Sequence, residues 1–364
     1  MNVRPVVRRA HVFAFVFLFA ATLRADLPGN GVEVRRGVVA DVAGGTLYAS
    51  AVGGGIDAID AATGRVLWSS NDAAVPLTLV GGRLVAQVEE KPAVERLRLA
   101  LIDTASRGRK VADAIVALPD GVDAIVADNL TRSFRVTAEH DASGVVISWM
   151  FTEVEDDGGI HVPGEVSQQR IVNGAARVDL ETGRVTPLAP RRVISNSATD
   201  AAWRAGDVLS SVEGGRGAAI VLKRRDARTG AVLPDRELLP RGLFALPSAD
   251  RAYLLATSRV GAGGPEDPEY QWSIFSAATG ELLGELRREI SASPFVVANG
   301  NIIFEAPPRG YKSGDTWIDE PLTLRAVRLS SAVPVWDHEV RDLRYTGKQP
   351  PSKSKSATPK KGVQ

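Results

Sequence analysis

The sequence predicts an all-β wheel, a β-propeller of four-stranded antiparallel blades, with six repeats counted and a seventh not excluded. Three observations predict it. Short apolar runs bounded by Gly or Asp recur along the chain. They flank a common turn. That turn returns at blade-like intervals. The 364 residues include 35 glycines and 21 prolines, about 15% against roughly 12% in ordinary proteins, which favours turns over long helices. The clearest unit is residues 42–70, with Leu47-Tyr48-Ala49, then Ile56 to Asp60, a turn at Thr63-Gly64, and Val66-Leu67-Trp68. Echoes follow at 97–111, 176–188, 223–233 and 272–286, with a worn sixth copy at 324–336.

The turn glycines are Gly64, Gly108, Gly183, Gly230 and Gly280, spaced by 44, 75, 47 and 50 residues. A period of 40–50 residues built from short strands is that of a propeller blade. The interval of 75 is one blade with long insertions, or a blade plus a decayed one. An Asp four residues before the Gly can accept hydrogen bonds from the backbone just ahead of it, and Gly tolerates the positive φ that closes such a turn. Asp60, Asp179 and Asp226 hold that position. Asp103 sits one residue further from its Gly, and Ser276 replaces Asp in the fifth copy.

Residues 58–68, AIDAATGRVLW, resemble the tryptophan-docking motif of pyrroloquinoline-quinone (PQQ) type propellers. That motif is Ala, any, Asp, three of any kind, Gly, Lys or Arg, two of any kind, Trp. Ala58, Asp60, Gly64, Arg65 and Trp68 match every fixed position. The resemblance implies that Trp68 packs between neighbouring blades and that these residues are structural. It extends over about residues 32–342 through the repeats, but only this copy is complete. Pro187, Pro234 and Gly284 stand in the Trp position of later copies. A more distant similarity, in export and repeat type, is to the beta-barrel assembly lipoprotein scaffold of the outer membrane. The chain departs from it in lacking a lipidated cysteine and in having fewer blades, so that role is not carried over.

In a four-stranded meander the A–B and C–D turns share one face of the disc, and the B–C loops and blade-to-blade links share the other. The variable segments, roughly 89–96, 153–170, 211–217, 259–271 and 305–321, fall between strands B and C. They place Glu153, Glu155, Asp156, Asp157, Glu266, Asp267 and Trp317 on one face, which makes that acidic rim the candidate binding face, since loops on a rigid scaffold commonly carry binding. Ring closure is expected to pair a strand near residues 32–39 with the last blade, covering an open edge. Trp149, Trp203, Trp272 and Trp336 are expected to pack between blades.

The two ends are different material. Arg4, Arg8 and Arg9 precede an apolar block at 10–23, and Ala25 follows, the pattern of a signal peptide over residues 1–25. Fourteen residues make about 21 Å of helix, short of a roughly 30 Å hydrocarbon core; an uncleaved membrane anchor is the alternative. The expected propeller is 26–345. Residues 346–364 are rich in Lys, Pro and Ser, a composition that stays unfolded. The segment 1–25 holds four arginines and no acid, so the mature chain carries 40 basic and 43 acidic residues. From Leu343 onward the charge is +6, which leaves −9 on residues 26–342. Such a body is a poor ligand for nucleic acid, while its basic tail is expected to touch an anionic surface.

Catalytic signatures are sparse. Cysteine is absent, which removes thiol nucleophiles, thiolate metal sites and the paired cysteines of quinone enzymes. His140, His161 and His338 have no metal-ligand spacing. Gly53-Gly54-Gly55 is read as a B–C link rather than a dinucleotide loop, because a strand pattern follows it. No cofactor and no catalytic residue are assigned. The expectation is an exported, periplasmic or extracellular, monomeric binding or scaffold module with a protein partner in the cell envelope. The alternatives are a PQQ- or cation-dependent oxidoreductase and a carbohydrate-binding propeller.

Overall fold

The computed structural model describes residues 30–90, 95–119, 122, 132–141, 144–154, 169–190, 202–260, 269–313 and 316–343. Blade one contains β1 (Val32–Arg35), β2 (Val38–Asp41), β3 (Thr46–Ser50), β4 (Ile56–Asp60) and β5 (Val66–Ser70). Blade two contains β6 (Val75–Val80), β7 (Arg83–Gln87), β8 (Arg96–Asp103) and β9 (Arg109–Ala117). Blade three contains β10 (Arg132–Asp141), β11 (Gly144–Val154), β12 (Gln169–Val178) and β13 (Val185–Leu188). Blade four contains β14 (Trp203–Ala205), β15 (Val208–Gly214), β16 (Ile220–Asp226) and β17 (Val232–Leu239). Blade five contains β18 (Phe244–Pro247), β19 (Tyr253–Val260), β20 (Glu269–Ser276) and β21 (Leu282–Arg288). Blade six contains β22 (Phe295–Ala298), β23 (Asn301–Ala306), β26 (Thr323–Arg328) and β27 (Pro334–Glu339), with the hairpin β24 (Arg309–Ser313) and β25 (Thr316–Glu320) inserted between its second and third strands.

Every blade is an antiparallel meander in chain order. The 75-residue interval is one blade, not two: β10, β11 and β12 pair over ten residues and stand taller than the other sheets. Burial along the strands follows their place in the blade. The third strand β8, RLRLALID, is buried from Leu99 to Ile102, while the outer strand β9 alternates exposed and covered residues. The inner strands β6 and β22 are buried almost throughout.

The blades adhere face to face through apolar clusters. One joins blades one and two through Tyr48, Ile56, Leu79 and Leu84. Others join two to three through Leu99, Ala114, Phe134 and Ile147, four to five through Leu222 and Leu254, and five to six through Trp272, Phe295 and Phe304. Blades six and one share a cluster of Leu47, Ile59, Val296, Leu324 and Trp336. Among the described residues, no such cluster spans blades three and four.

Closure differs from the expectation. β1 does not join the last blade; it pairs with β2 of its own blade. Blade six takes all four strands from residues 295–339. The physical reason is geometric. β27 supplies the fourth strand of blade six against β26, so that sheet is complete without an N-terminal strand. β1 enters the hollow of the wheel instead. The Gly31 amide donates to the Leu79 carbonyl of blade two at 2.8 Å. Asn30 reaches His140 of blade three at 3.5 Å, and Arg35 pairs with Glu305 of blade six at 2.9 Å.

Candidate functional site

The repeat motif is built by local turn chemistry. The Asp60 carboxylate accepts from the Ala62 and Thr63 amides and from the Thr63 hydroxyl, at 2.8–3.0 Å. Asp179 and Asp226 do the same with Thr182 and Thr229. Accepting three bonds favours the ionised form, so all three carboxyls sit below their ordinary range. Ser276 accepts only from the Thr279 amide in the fifth copy. The turn residue then donates its amide back to the first residue: Gly64 to Asp60, Gly183 to Asp179, Gly230 to Asp226 and Gly280 to Ser276. Arg65 is exposed and adds a favourable charge beside Asp60.

The turns receive the neighbouring blade. Trp68 of blade one lies against Gly108 of blade two, where any Cβ would collide with its indole. The ring is half-buried and stands 5.7 Å from Tyr48. Burial pushes the Tyr48 hydroxyl up to about 12, against a hydrogen bond with Thr104 that lowers it. Sequence reasoning placed Trp336 between blades but did not identify the turn on which it docks. Trp336 of blade six packs on Gly64, where a Cβ would stand 2.6 Å from the indole, and its Nε1 donates to the Ala61 carbonyl at 3.1 Å. Its turn has lost both Asp and Gly. Ala332 takes the Gly position at φ 56 and donates to the Arg328 carbonyl at 2.8 Å. The four-residue step from Ala332 to Trp336 repeats that from Gly64 to Trp68, and that spacing was the available signal.

The remaining junctions use other contacts. At blade three, Gly183 lies on the Asp113 carbonyl and beside Ala112, which holds the Trp position of blade two. A Cβ at Gly230 would meet nothing within 4 Å among the described residues. Gly280 meets the Arg236 stem at 3.0 Å, and Arg224 donates to the Ala278, Thr279 and Pro234 carbonyls at 2.7–3.1 Å. Trp149, Trp203 and Trp272 are buried at blade faces as expected. Trp149 stacks on Phe134 at 6.3 Å. The Trp203 and Trp272 indoles donate to the Arg251 and Ile290 carbonyls.

On the opposite face, the variable segments do connect the second and third strands of the blades, including the short Gly53–Gly55 link. Glu155, Asp156, Asp157, Glu266 and Asp267 lie outside the described residues, as does the side chain of Trp317. Glu153 is half-buried and lies 3.5 Å from Arg170. Other acids of this rim also have cationic partners: Glu89 with Arg98 at 2.7 Å, Glu90 with Arg341 at 2.9 Å, Glu269 with Arg287 at 3.8 Å and Glu305 with Arg35. The described part of the face is a mosaic of ion pairs. Arg98, Arg170 and Arg287 come from the next strands of the same blades, whereas Arg35 and Arg341 come from distant parts of the chain, which local sequence does not reveal. Residues 340–343 cross this face as a strap. The Arg341 amide donates to the Ser50 carbonyl at 2.8 Å, and Leu343 is buried with the cluster of blades two and three.

Inside the hollow, Glu33 is solvent-accessible yet desolvated. Burial raises its carboxyl, while Arg36 and Arg135 pull it down. Among the described residues, no three His, Asp or Glu side chains converge as a metal cage.

The six meanders of the described residues and their turn-docked tryptophans define a β-propeller. No family model and no curated sequence matches the chain. Solved structures resemble it at low identity. Dihydro-heme d1 dehydrogenase NirN is 11% identical over 88% of this chain and 75% of that one, with a TM-score of 0.31. A europium-containing methanol dehydrogenase is 14% identical over 81% and 67%, at 0.24. The Swd1 β-propeller domain of Myceliophteria thermophila is 11% identical over 83% and 85%, at 0.26. These likenesses bear on the fold alone.

Proposed function

We propose that the chain is an exported, non-catalytic propeller that binds a protein partner of the cell envelope through the face carrying the B–C loops. One observation supports this most: the asymmetry of the two faces. The A–B turns are as short as 81–82, 206–207 and 299–300, whereas the B–C connections run over 155–168, 261–268 and 307–322. Elaboration on one face of a rigid scaffold suits recognition. Acids are frequent in those segments, with Glu155, Asp156, Asp157, Glu266 and Asp267 beside Trp317, so a basic partner surface is the natural complement. The basic tail adds attraction to an anionic surface, and a single copy of the wheel suffices for binding.

The test compares the intact mature chain with a variant whose segments 155–168 and 261–268 are replaced by short Gly/Ser links. Both are immobilised and exposed to envelope extract. The proposal expects a protein retained by the intact chain and lost from the variant, with an unchanged melting temperature. Equal retention by both sinks it. Mixing the chain with PQQ and calcium separates the oxidoreductase alternative, because saturable uptake with dye reduction would replace the binding role. A glycan array does the same for carbohydrate.

A further inference from the structure

The outer wall of the wheel is not uniform. Among the described residues, eight large aliphatic side chains are exposed, and four of them, Val66, Leu67, Val111 and Ile115, lie on the outermost strands of blades one and two. The strand register accounts for two of the four. In β5, Trp68 pairs with Ala58 and Val66 with Ile59, so a bulge leaves Leu67 without a partner. In β9, Ala112 pairs with Leu101 and Lys110 with Ile102, which leaves Val111 over in the same way. Bulges re-aim side chains. The bulge residues of blades five and six, Leu283 and Val335, are tucked against the junction clusters. Leu67 and Val111 instead stay 42% and 39% exposed.

Cations frame these side chains. Arg65 precedes Val66, and Arg107 and Arg109 flank the Gly108 on which Trp68 docks, so that one contact joins the two turns. All three arginines are exposed. The nearby acids are already engaged. Asp60 accepts from its own turn. Asp103 is held by Arg83 at 2.9 Å and by the Ser106 hydroxyl, and Asp113 by Lys110 at 3.0 Å. Elsewhere on the turn side exposed acids intervene, with Glu181, Asp207 and Glu281 at blades three, four and five. The corner at blades one and two is therefore the cationic part of that side.

The chain itself leads to this corner. β1 runs antiparallel to β2, so it enters the hollow from the side of the A–B turns. There the Gly31 amide donates to the Leu79 carbonyl and the Gly81 amide donates to the Asn30 side chain, at the turn of blade two. Residues 24–29 separate Asn30 from the apolar block 10–23, a reach of at most about 25 Å.

We propose that this corner docks on an anionic lipid bilayer, with Val66, Leu67 and Val111 entering the headgroup layer and Arg65, Arg107 and Arg109 meeting lipid phosphates. All six residues lie within three positions of a turn glycine, or about 10 Å along a strand, a depth that interfacial side chains reach. Arginines interleaved with exposed aliphatics suit such a surface. The contact leaves the loop face open and goes beyond the role proposed for it. Only the approach of residues 10–23 rests on the export reading; the patch does not.

The test uses the mature chain from Asp26, so the patch is read without the apolar block. It is floated with vesicles of phosphatidylcholine alone and with an equal mixture of phosphatidylcholine and phosphatidylglycerol. Binding is expected to the anionic vesicles only. Arg65→Gln, Arg107→Gln and Arg109→Gln together should weaken it more than about tenfold, and Leu67→Ser with Val111→Ser about tenfold. Replacing Lys348, Lys353, Lys355, Lys360 and Lys361 of the tail by Gln should leave most of it. A direct readout covers variants that fold poorly, because the chain has no cysteine. An environment-sensitive dye on Leu67→Cys should shift to the blue with anionic vesicles, and one on Gly53→Cys at the loop face should not. No binding overturns the proposal, as does binding that the arginine variant retains in full or that the tail variant alone abolishes. Equal dye shifts at both positions overturn it too. So does self-association without vesicles that the Leu67 and Val111 changes remove, which would assign the patch to a second copy. None of these results touches the retention of a partner by the loop face.

Discussion

The arc running from blade six through blade one to blade two differs from the arc of blades three to five. In the first arc an indole fills each junction: Trp336 on Gly64, then Trp68 on Gly108. In the second, the equivalent positions hold Pro187, Pro234 and Gly284, and a Cβ at Gly230 would meet nothing within 4 Å among the described residues. The strands are equally regular in both arcs. A blade therefore needs its turn chemistry to exist and its docking residue only to hold a neighbour. The first and last blades meet in the strongly docked arc, where no shared strand helps them.

Breaking the docked arc should cost most. Trp336→Ala removes a buried indole and its hydrogen bond to Ala61, and should destabilise by about 3–5 kcal/mol in denaturant unfolding. A loss under about 1 kcal/mol would dissolve the contrast between arcs. Gly64→Val forces a β-branched residue to φ 71 against the Trp336 ring, and should cost about 3 kcal/mol by strain and overpacking. In the other arc, Arg224→Met removes a guanidinium that bridges blades four and five, and should cost about 1–2 kcal/mol; a loss as large as that of Trp336→Ala would make the two locks equivalent.

Acid sharpens the comparison at the closing junction. Asp57 of blade one faces His338 of blade six at 3.6 Å and accepts from Ser69 at 2.5 Å. The His338 bond, opposed by burial and helped by Ser69, holds the Asp57 carboxyl below its ordinary 3.8. A depressed folded pKa stabilises above the unfolded value and is lost as pH falls through the folded one. Asp57→Asn should therefore flatten the loss of stability below about pH 4, and an unchanged acid slope would remove this pair from closure. The smallest effect has the opposite sign. Ala332→Gly relieves an alanine at φ 56 and should stabilise by about 1 kcal/mol, seen as a modest rise in melting temperature.

The wheel was legible because its signal is local. An Asp and a Gly four residues apart mark three of the turns, and five turn glycines, with three of their four intervals at 44–50 residues, give the period. Closure was not legible, because face packing between residues some 275 positions apart, such as Trp336 and Ala61, leaves no local trace. Trp336 was legible as an interblade residue, but its match to Trp68 was not, because its own turn had lost the Asp and Gly that flagged the others. Arg224 escaped notice because it replaces an apolar lock with hydrogen bonds to carbonyls. On the loop face, the sequence displayed Glu89, Glu90 and Glu305 as bare acids. Pairing them required Arg98 from the next strand of the same blade, Arg341 from the strap and Arg35 from blade one.

Since blade six borrows no strand from the start of the chain, each sheet can finish as soon as its own four strands have emerged. The N-terminal blades need not wait, half-made, for the last residues to arrive. Joining the ends becomes a late docking of two completed surfaces, with the short strap at 340–343 arriving last. That order leaves few unpaired strands exposed at any moment as the chain emerges.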